Sequence, residues 1–331
     1  MMKKIISVLL SVLLCFLLVG CHGDKKEYQE KSFFVMDAVL TLRLWGCDDE
    51  ANAHFERIGA LLSEIESALS RTDTESDVSR INRERTVGDL SPHTLSVLST
   101  AQDVMNATAG AYLPTMGAIS DLWHKAGEEN ALPNSTALAD ALAAARQGFV
   151  LEDGICTLPA QGALLDLGGI GKGYAVDCIL AYLTKAGVTG ALISFGSSVA
   201  TLGEKGDGTP FRISLRSPAD ATATVGMLTA PEGVLSVSGD YERYVTVGGT
   251  RYHHIIDPAT GYPAASGISS ASVIAESGAL SDALSTAFLV MGEENARTLL
   301  ASGAIKAEAI FVTASGTTSH TSGLDGIFSP N

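Results

Sequence analysis

Hydrophobic residues recur at helical spacing along much of the chain, three or four positions apart, and this predicts several amphipathic helices. The first stripe consists of Phe55, Ile58, Leu62, Ile65 and Leu69. A second stripe contains Leu95, Leu98 and Met105, and its helix is expected to end at Gly110, because glycine commonly follows the last helical residue.

Further helices are predicted in the C-terminal half. One follows a glycine-rich turn at residues 168–173, and its inward side chains are Tyr174, Val176, Ile179, Leu180 and Leu183. Two more are expected near residues 280–291 and 293–301.

Alternating apolar and β-branched residues predict strands between these helices. Residues 33–45 fit one strand, residues 191–195 a buried strand and residues 310–313 another. Residues 149–158 predict a hairpin that turns at Asp153-Gly154, whereas the polar stretch 70–82 predicts a loop. Strands and helices are interleaved without a regular βαβ order, so the predicted fold class is α+β.

The N-terminal segment has the pattern of an export signal. Lys3 and Lys4 precede an almost wholly apolar run at residues 5–19, which is short for a membrane span. The run ends in Leu18-Val19-Gly20-Cys21, which resembles the lipobox of bacterial lipoproteins. We therefore expect a signal peptide at 1–20, lipidation of Cys21, a polar tether at 21–31 and one interlocked domain at 32–331. An ordinary signal peptide or an uncleaved anchor with a chance cysteine is the alternative.

Overall charge and the remaining cysteines exclude some functions. The net charge of −15 argues against a nucleic-acid partner, because phosphates require a basic surface. Cys47, Cys156 and Cys178 match no zinc or CxxC spacing. The acidic surface is typical of a soluble domain.

Three segments carry candidate chemistry, and the first is the turn at residues 168–173. A glycine-rich turn that enters a helix offers free backbone N–H groups and a partial positive charge, which suit phosphate. Gly173 stands where a Walker A loop needs Ser or Thr, and Tyr174 stands where the dinucleotide fingerprint needs Gly. A tight structural turn explains this segment equally well.

The second candidate is Asp282 with Thr286. Four positions apart on a helix, their side chains share one face, and both offer the hard oxygen ligands that Mg²⁺ prefers. A solvated Asp and a Thr bonded to its own helix would give the same spacing.

The third candidate is the pair His253 and His254, beside Ile255. A histidine here could act as a general base near neutral pH. Neighbouring strand residues point to opposite faces, so at most one of the two can enter a given site. One surface histidine and one structural histidine is the alternative.

These segments together resemble the successive signatures of the ApbE family, the FAD:protein FMN transferases. The resemblance rests on residues 166–177, 238–244, 252–263 and 282–286, and on earlier segments at 36–38, 69–82 and 110–123. It implies a T-fold-like α+β domain that transfers FMN from FAD, with Mg²⁺, to a Thr or Ser hydroxyl of acceptor proteins and releases AMP. It also implies exported electron-transfer subunits as acceptors, and a lipid-anchored enzyme outside the cytoplasm.

The resemblance assigns roles to individual residues. Its metal site would comprise Asp282, Thr286, a backbone carbonyl from Ser285, and the backbone of Gly169. His254 would be the base for the acceptor hydroxyl, and Asp282 is the other expected catalytic residue. Flavin-nucleotide contacts are implied for Met36, Thr72, Ala111, Tyr112, Leu113, Asp166, Lys172 and Ile255.

The chain departs from the family pattern in two places. Relatives usually have a Phe-Asp-Pro-Thr turn where this chain has Tyr112-Leu113-Pro114-Thr115, so one polar contact to the nucleotide is expected to be lost. Paired glycines often follow the strand that ends near residue 195, where this chain has Gly196-Ser197. Altered FAD affinity is the expected result. Two alternative functions stay open, an FAD pyrophosphatase that gives FMN and AMP, and a non-catalytic FAD-binding lipoprotein.

Overall fold

The computed structural model describes residues 28–47, 49–229 and 231–331. The expected signal peptide and Cys21 lie outside these residues. None of the helices in the described ranges combines the length and apolar character that crossing a membrane requires.

Seven α-helices lie within the described residues, and their bounds are α1 Ala51–Leu69, α2 Asp77–Glu84, α3 Pro92–Ala107, α4 Gly117–Glu129, α5 Ser135–Ala145, α6 Gly171–Lys185 and α7 Gly278–Ala301. The strands are β1 Gln29–Val35, β2 Ala38–Trp45, β3 Thr86–Val87, β4 Val150–Glu152, β5 Ile155–Thr157, β6 Gly190–Phe195, β7 Ser198–Gly203, β8 Arg212–Arg216, β9 Thr224–Thr229, β10 Val234–Gly239, β11 Tyr244–Val247, β12 Thr250–His253, β13 Ser270–Ala275, β14 Ala307–Val312, β15 Thr318–His320 and β16 Phe328–Pro330.

An antiparallel sheet of eight strands forms the centre, in the order β1-β2-β6-β7-β10-β13-β14-β15. One face packs against α1, α6 and α7, with α3 packed on α1 and α7, and together they bury the main hydrophobic core. Towards the β14 end, the other face packs against the small sheet β16-β9-β8. Side chains on β14 alternate accordingly: Phe311 faces the helices, while Ile310 and Val312 face the small sheet.

A third hydrophobic cluster joins α4 and α5 to the two-stranded sheet β11-β12. Trp123 on α4 is buried there and donates its ring N–H to the carbonyl oxygen of Gly261, at 2.8 Å. This bond holds the loop after β12 against the helices. The loop contains the segment that was expected to contribute to the nucleotide site.

Two glycines allow α6 and α7 to cross at very short range. A β-carbon added to Gly173 would lie 1.9 Å from the carbonyl oxygen of Gly278, and one added to Gly278 would lie 2.2 Å from that of Gly173. Asp177 on α6 accepts hydrogen bonds from the backbone N–H groups of Gly278 and Ala279 and thereby caps the start of α7. The start of each helix is therefore fixed against the other.

The α+β prediction is confirmed, as are several predicted elements. The five residues of the first apolar stripe all lie buried on α1, and the hairpin at residues 149–158 turns at Asp153 and Gly154, both with positive φ. The two helices predicted after residue 280 form α7, which Gly292 interrupts with a non-helical φ of 76°.

Three predictions are wrong in detail. Residues 33–45 form not one strand but the hairpin β1-β2, whose turn is Met36-Asp37, with φ values of 50° and 53°. The predicted loop at 70–82 contains the start of α2, which is capped by Ser76. This helix was missed because Val78 and Ile81 are its only apolar residues, too few to form a recognisable stripe. The strand β1 begins at Gln29, inside the segment expected to be a tether.

Candidate active site

Asp282 is the buried acidic group at the centre of the site. It lies on the second turn of α7 and is only 4% exposed. Its Oδ2 accepts a hydrogen bond from the backbone N–H of Gly173, at 3.1 Å, so the carboxylate is aimed at the N-terminal end of α6. Burial raises the pKa of Asp282, while the nearby charge of Lys172 and the Gly173 N–H act in the opposite direction.

Hydroxyl groups from α7 and β10 lie one helical turn further on. Ser238 Oγ on β10 lies 2.8 Å from Ser285 Oγ and 3.3 Å from Thr286 Oγ1. Ser285 Oγ in turn donates to the backbone carbonyl of Asp282, at 2.8 Å. Ser238 therefore connects the side chains of both α7 hydroxyl residues to the central sheet.

Gly169 and Tyr112 border the same place. A β-carbon added to Gly169 would lie 3.6 Å from Thr286 Oγ1 and 3.7 Å from Cε2 of Tyr112. The Tyr112 side chain is 4% exposed. Burial first, and then the negative charges of Asp282 and Asp166, raise the pKa of the Tyr112 phenol.

Asp166 begins the glycine-rich turn and shapes it. Its Oδ1 accepts from the backbone N–H of Gly168, at 2.9 Å, and its Oδ2 accepts from Arg71, also at 2.9 Å. Arg71 pairs with Asp121 as well and donates to the carbonyl of Gly117, at 3.2 Å. The turn is thus tied to the loop after α1 and to α4.

Lys172 and Met36 lie on the sides of the turn. Lys172 Nζ donates to the carbonyl of Gly168, at 2.7 Å, and its positive charge acts on both Asp282 and His254. Met36 is held in the β1-β2 turn by a bond from its backbone N–H to Glu66 Oε1, at 2.7 Å. A β-carbon on Gly171 would come within 2.8 Å of the Met36 methyl carbon, so the flexible end of the Met36 side chain packs directly against the start of α6.

His254 follows the strand β12 and is exposed to solvent. Its Nδ1 lies 3.1 Å from the carbonyl oxygen of Arg243, and a carbonyl can only accept, so Nδ1 carries the proton. The Nε2 atom then has a free lone pair. His253 points elsewhere, with Nε2 at 2.9 Å from the carbonyl of Ala264, as strand alternation predicts.

The surrounding protein keeps the His254 ring neutral. Desolvation by the neighbouring chain lowers the pKa of His254 to about 4, and the positive charges of Arg243 and Lys172 add to this effect. Water around an exposed ring reduces such a shift, but both the direction and the ordinary value give a neutral ring at pH 7. A neutral ring with a free Nε2 can accept a proton.

The remaining residues expected at the site lie around this centre. Ile255 is 5% exposed and belongs to the main core, and Ala111 is half-buried in the loop before Tyr112. Leu113 packs on the other side, against the α4–α5 cluster. Thr72 is exposed in the turn after α1, where its backbone N–H donates to Ser70 Oγ, at 3.1 Å. Cys21 lies outside the described residues.

Sequence reasoning assigned no role to Ser238, Arg71 or Asp177. Ser238 and Arg71 both lie in segments that carry the family resemblance, which was the available signal for them. Asp177 also lies in such a segment, at 166–177, but its role as cap of a helix that begins 101 residues later has no local signal.

The donors that could hold a cation are mostly neutral oxygens. No group of three or more His, Cys, Asp or Glu residues that could bind a metal is present among the described residues. Asp282 supplies one carboxylate, and Thr286 supplies one hydroxyl. A hard cation bound here would need oxygens from its ligand, and a diphosphate would provide them.

Comparison with known proteins gives one consistent result. The ApbE family matches residues 36–311. The FAD:protein FMN transferase of Treponema pallidum is 31% identical over 317 residues, covering 88% of this chain and 87% of the relative. The FAD:protein FMN transferase of Klebsiella pneumoniae is 32% identical over 278 residues, covering 82% and 85%.

Solved structures agree with the sequence relatives. The crystal structure of the ApbE protein of Thermotoga maritima has a TM-score of 0.81 at 30% identity, covering 91% of this chain and 99% of that chain. The flavin transferase ApbE of Vibrio cholerae has a TM-score of 0.79 at 26% identity, also covering 91% and 99%.

Proposed function

The chain belongs to the ApbE family, and on that premise we propose that it is an FAD:protein FMN transferase that modifies a Ser or Thr hydroxyl of acceptor proteins. The observation that supports this most strongly is the α6–α7 crossing. There the buried Asp282 is fixed against the glycine-rich turn, with Thr286 one helical turn away.

The residues present fit a divalent cation such as Mg²⁺. Asp282 is a buried carboxylate whose one side-chain hydrogen bond among the described residues comes from the Gly173 N–H. Such a group is costly unless a positive charge accompanies it. Asp282 and Thr286 would hold the cation through side-chain oxygens, and Gly169 and Ser285 border the same place. A bound Mg²⁺ would offset the negative charge of the diphosphate.

The glycine-rich turn suits the diphosphate of FAD. The turn leads into the N-terminus of α6, whose partial positive charge favours an anion, although the Gly171 N–H already donates to the Leu167 carbonyl and the Gly173 N–H to Asp282. Lys172 contributes a positive charge beside this turn. Phosphoryl transfer depends mainly on positioning and charge neutralisation, and the turn provides both.

His254 can take the proton of the acceptor hydroxyl at Nε2. The hydroxyl oxygen forms a bond to the phosphorus of the FMN half, and the bond from that phosphorus to the bridging oxygen breaks. AMP leaves with the bridging oxygen, and FMN stays joined to the acceptor as a phosphoester. The bond between His254 Nδ1 and the Arg243 carbonyl fixes the tautomer that this step requires.

The direct experiment is incubation of the protein with FAD, Mg²⁺ and an acceptor that carries an Asp-Gly-x-Ser/Thr-Gly-Ala-Thr segment. We expect AMP and a fluorescent acceptor whose mass has increased by one FMN. Free FMN with an unlabelled acceptor would show hydrolysis instead, and intact FAD after long incubation would show binding without catalysis. Either result would contradict the proposal.

We also propose that the enzyme is exported and anchored by a lipid on Cys21, because residues 3–21 combine the charge, length and cleavage-site pattern of a lipoprotein signal. Acceptors at the membrane surface, such as electron-transfer subunits, would then be within reach. Expression with Cys21→Ser should release the protein from the membrane fraction. Equal membrane retention of the variant would contradict the anchor.

A further inference from the structure

The hydroxyl of Tyr112 is buried without a hydrogen-bond partner. Its side chain is 4% exposed, and the hydroxyl oxygen is one of three buried side-chain polar atoms that lack a partner within the described part of the chain. A buried polar group without a partner costs stability, so folded proteins retain such groups mainly where a ligand or ordered water completes them.

The surroundings of this hydroxyl are those of the nucleotide site. Of the two charged groups that act on the phenol, Asp282 is the proposed cation ligand and Asp166 shapes the glycine-rich turn. The ring edge borders Gly169, which also borders Thr286. Tyr112 therefore lies where the cation-binding oxygens and the turn meet, and neither carboxylate is within hydrogen-bond distance of it.

Tyr112 and its neighbour Leu113 lie in different surroundings. The Leu113 side chain packs against the α4–α5 cluster, whereas the Tyr112 ring belongs to the main core beside the site. Of the two side chains, that of Tyr112 is therefore the one placed beside the nucleotide site.

We propose that the Tyr112 hydroxyl donates a hydrogen bond to a diphosphate oxygen of the bound nucleotide. This inference rests on the proposed function, because it takes the nucleotide to be FAD. A phenol is protonated at neutral pH and so acts as a donor, and a phosphate oxygen is an acceptor that strengthens such a bond by its charge. The hydroxyl thereby supplies a polar contact to the nucleotide from the main-core side of the site.

Tyr112→Phe tests the inference, because it removes only the hydroxyl and keeps the buried ring. Binding of FAD, ADP, AMP and riboflavin is measured by calorimetry with Mg²⁺ present. We expect about tenfold weaker binding of FAD and ADP, which contain the diphosphate, and unchanged binding of AMP and riboflavin. Unchanged ADP affinity, or equal weakening for AMP and riboflavin, would overturn the inference.

One further variant sharpens the result. Tyr182→Phe removes a hydroxyl that is bonded to His54 Nδ1, at 2.9 Å, and should leave ADP affinity unchanged. If the unmodified protein bound neither FAD nor ADP, the proposed function itself would be contradicted. If the unmodified protein and Tyr112→Phe both bound FAD and ADP normally, only the role of Tyr112 would be contradicted.

Discussion

The two halves of the proposed site are built in different ways. At the α6–α7 crossing, Asp282 and Ser285 are buried, and backbone atoms of Gly173 and Gly278 lie in close contact. At the small sheet β11-β12, His254 is exposed and its ring is held through the Arg243 carbonyl. The first region belongs to the main core, whereas the second is attached through the separate α4–α5 cluster.

This difference matches what each region has to bind. A diphosphate with its cation presents fixed charges, and fixed charges are best held by donors that do not move when the ligand arrives. An acceptor protein must reach the site from solvent, so the proton acceptor has to be accessible. Substitutions at the crossing should therefore affect nucleotide binding and stability, whereas substitutions at His254 should affect the transfer rate alone.

The largest effect is expected for Asp282→Ala. It removes the only carboxylate assigned to the cation, so FMN transfer should fall by more than about 10³-fold. Asp282→Asn keeps the shape and the acceptor for the Gly173 N–H and serves as the control for folding. Both variants should lose Mg²⁺-dependent FAD binding in a titration, and near-normal transfer by either would show that the cation is held elsewhere.

His254→Ala should slow transfer by about 10²–10⁴-fold while FAD affinity stays the same. His253→Gln is the matched control, because His253 faces the Ala264 carbonyl and should transfer at the normal rate. The pKa of His254 is lowered to about 4, so its basic form is present above that pH and is lost as the pH falls through it. The acid limb of the rate profile should therefore lie below pH 6.5, the ordinary pKa of histidine, and a limb at or above 6.5 that disappears in His254→Ala would contradict this environment.

Gly173→Ala should lower the free energy of unfolding by about 3 kcal/mol, because the added methyl group meets the Gly278 backbone. Gly59→Ala on α1 is the control. Its β-carbon would meet only the Phe33 ring, at 3.2 Å, which can move, and alanine favours the helix. The free energy of unfolding of both variants is measured by chemical denaturation. Equal values for Gly173→Ala and Gly59→Ala would mean that α6 and α7 do not pack as closely as described.

Ser238→Ala should give the smallest effect. The Mg²⁺ concentration required for half-maximal transfer should rise about tenfold, because Ser238 orients Thr286 without binding the cation itself. Ser236→Ala removes a similar buried hydroxyl, bonded to Ser198 and Ser281 at 2.8 Å each, two residues away on the same strand. The two variants should lose similar stability, but only Ser238→Ala should need more Mg²⁺. The same Mg²⁺ requirement in both would assign Ser238 to packing.

The sequence predicts best the elements whose signal is local. The apolar stripe of α1 and the Asp153-Gly154 turn follow from residue spacing and turn chemistry alone. The Met36-Asp37 turn does not, because both residues adopt positive φ without glycine, and Met36 is held by a bond to Glu66 thirty residues later. The polar helix α2 was missed because it has only two apolar residues, Val78 and Ile81. Its buried Asp77 accepts hydrogen bonds from Thr94 and Ser91, and these tertiary contacts have no local signal.

The site likewise combines features with a local sequence signal and features that depend on contacts distant in the chain. Asp282 and Thr286 share a helix face by spacing, and that much is visible in the sequence. Their approach to Gly169 and Gly173 depends on two helices that are about a hundred residues apart in the chain. Only the family resemblance predicted that these two segments form one site. The partnerless hydroxyl of Tyr112 emerges only from the packed structure, since its burial depends on all of these elements at once.

A crystal structure with FAD and Mn²⁺, with the cation located by its anomalous scattering, tests the central claim most directly. The account predicts one cation between Asp282, Thr286 and the diphosphate of FAD, with the diphosphate against the turn at residues 168–173. A nucleotide bound away from the α6–α7 crossing, or a cation without contact to Asp282, would contradict it.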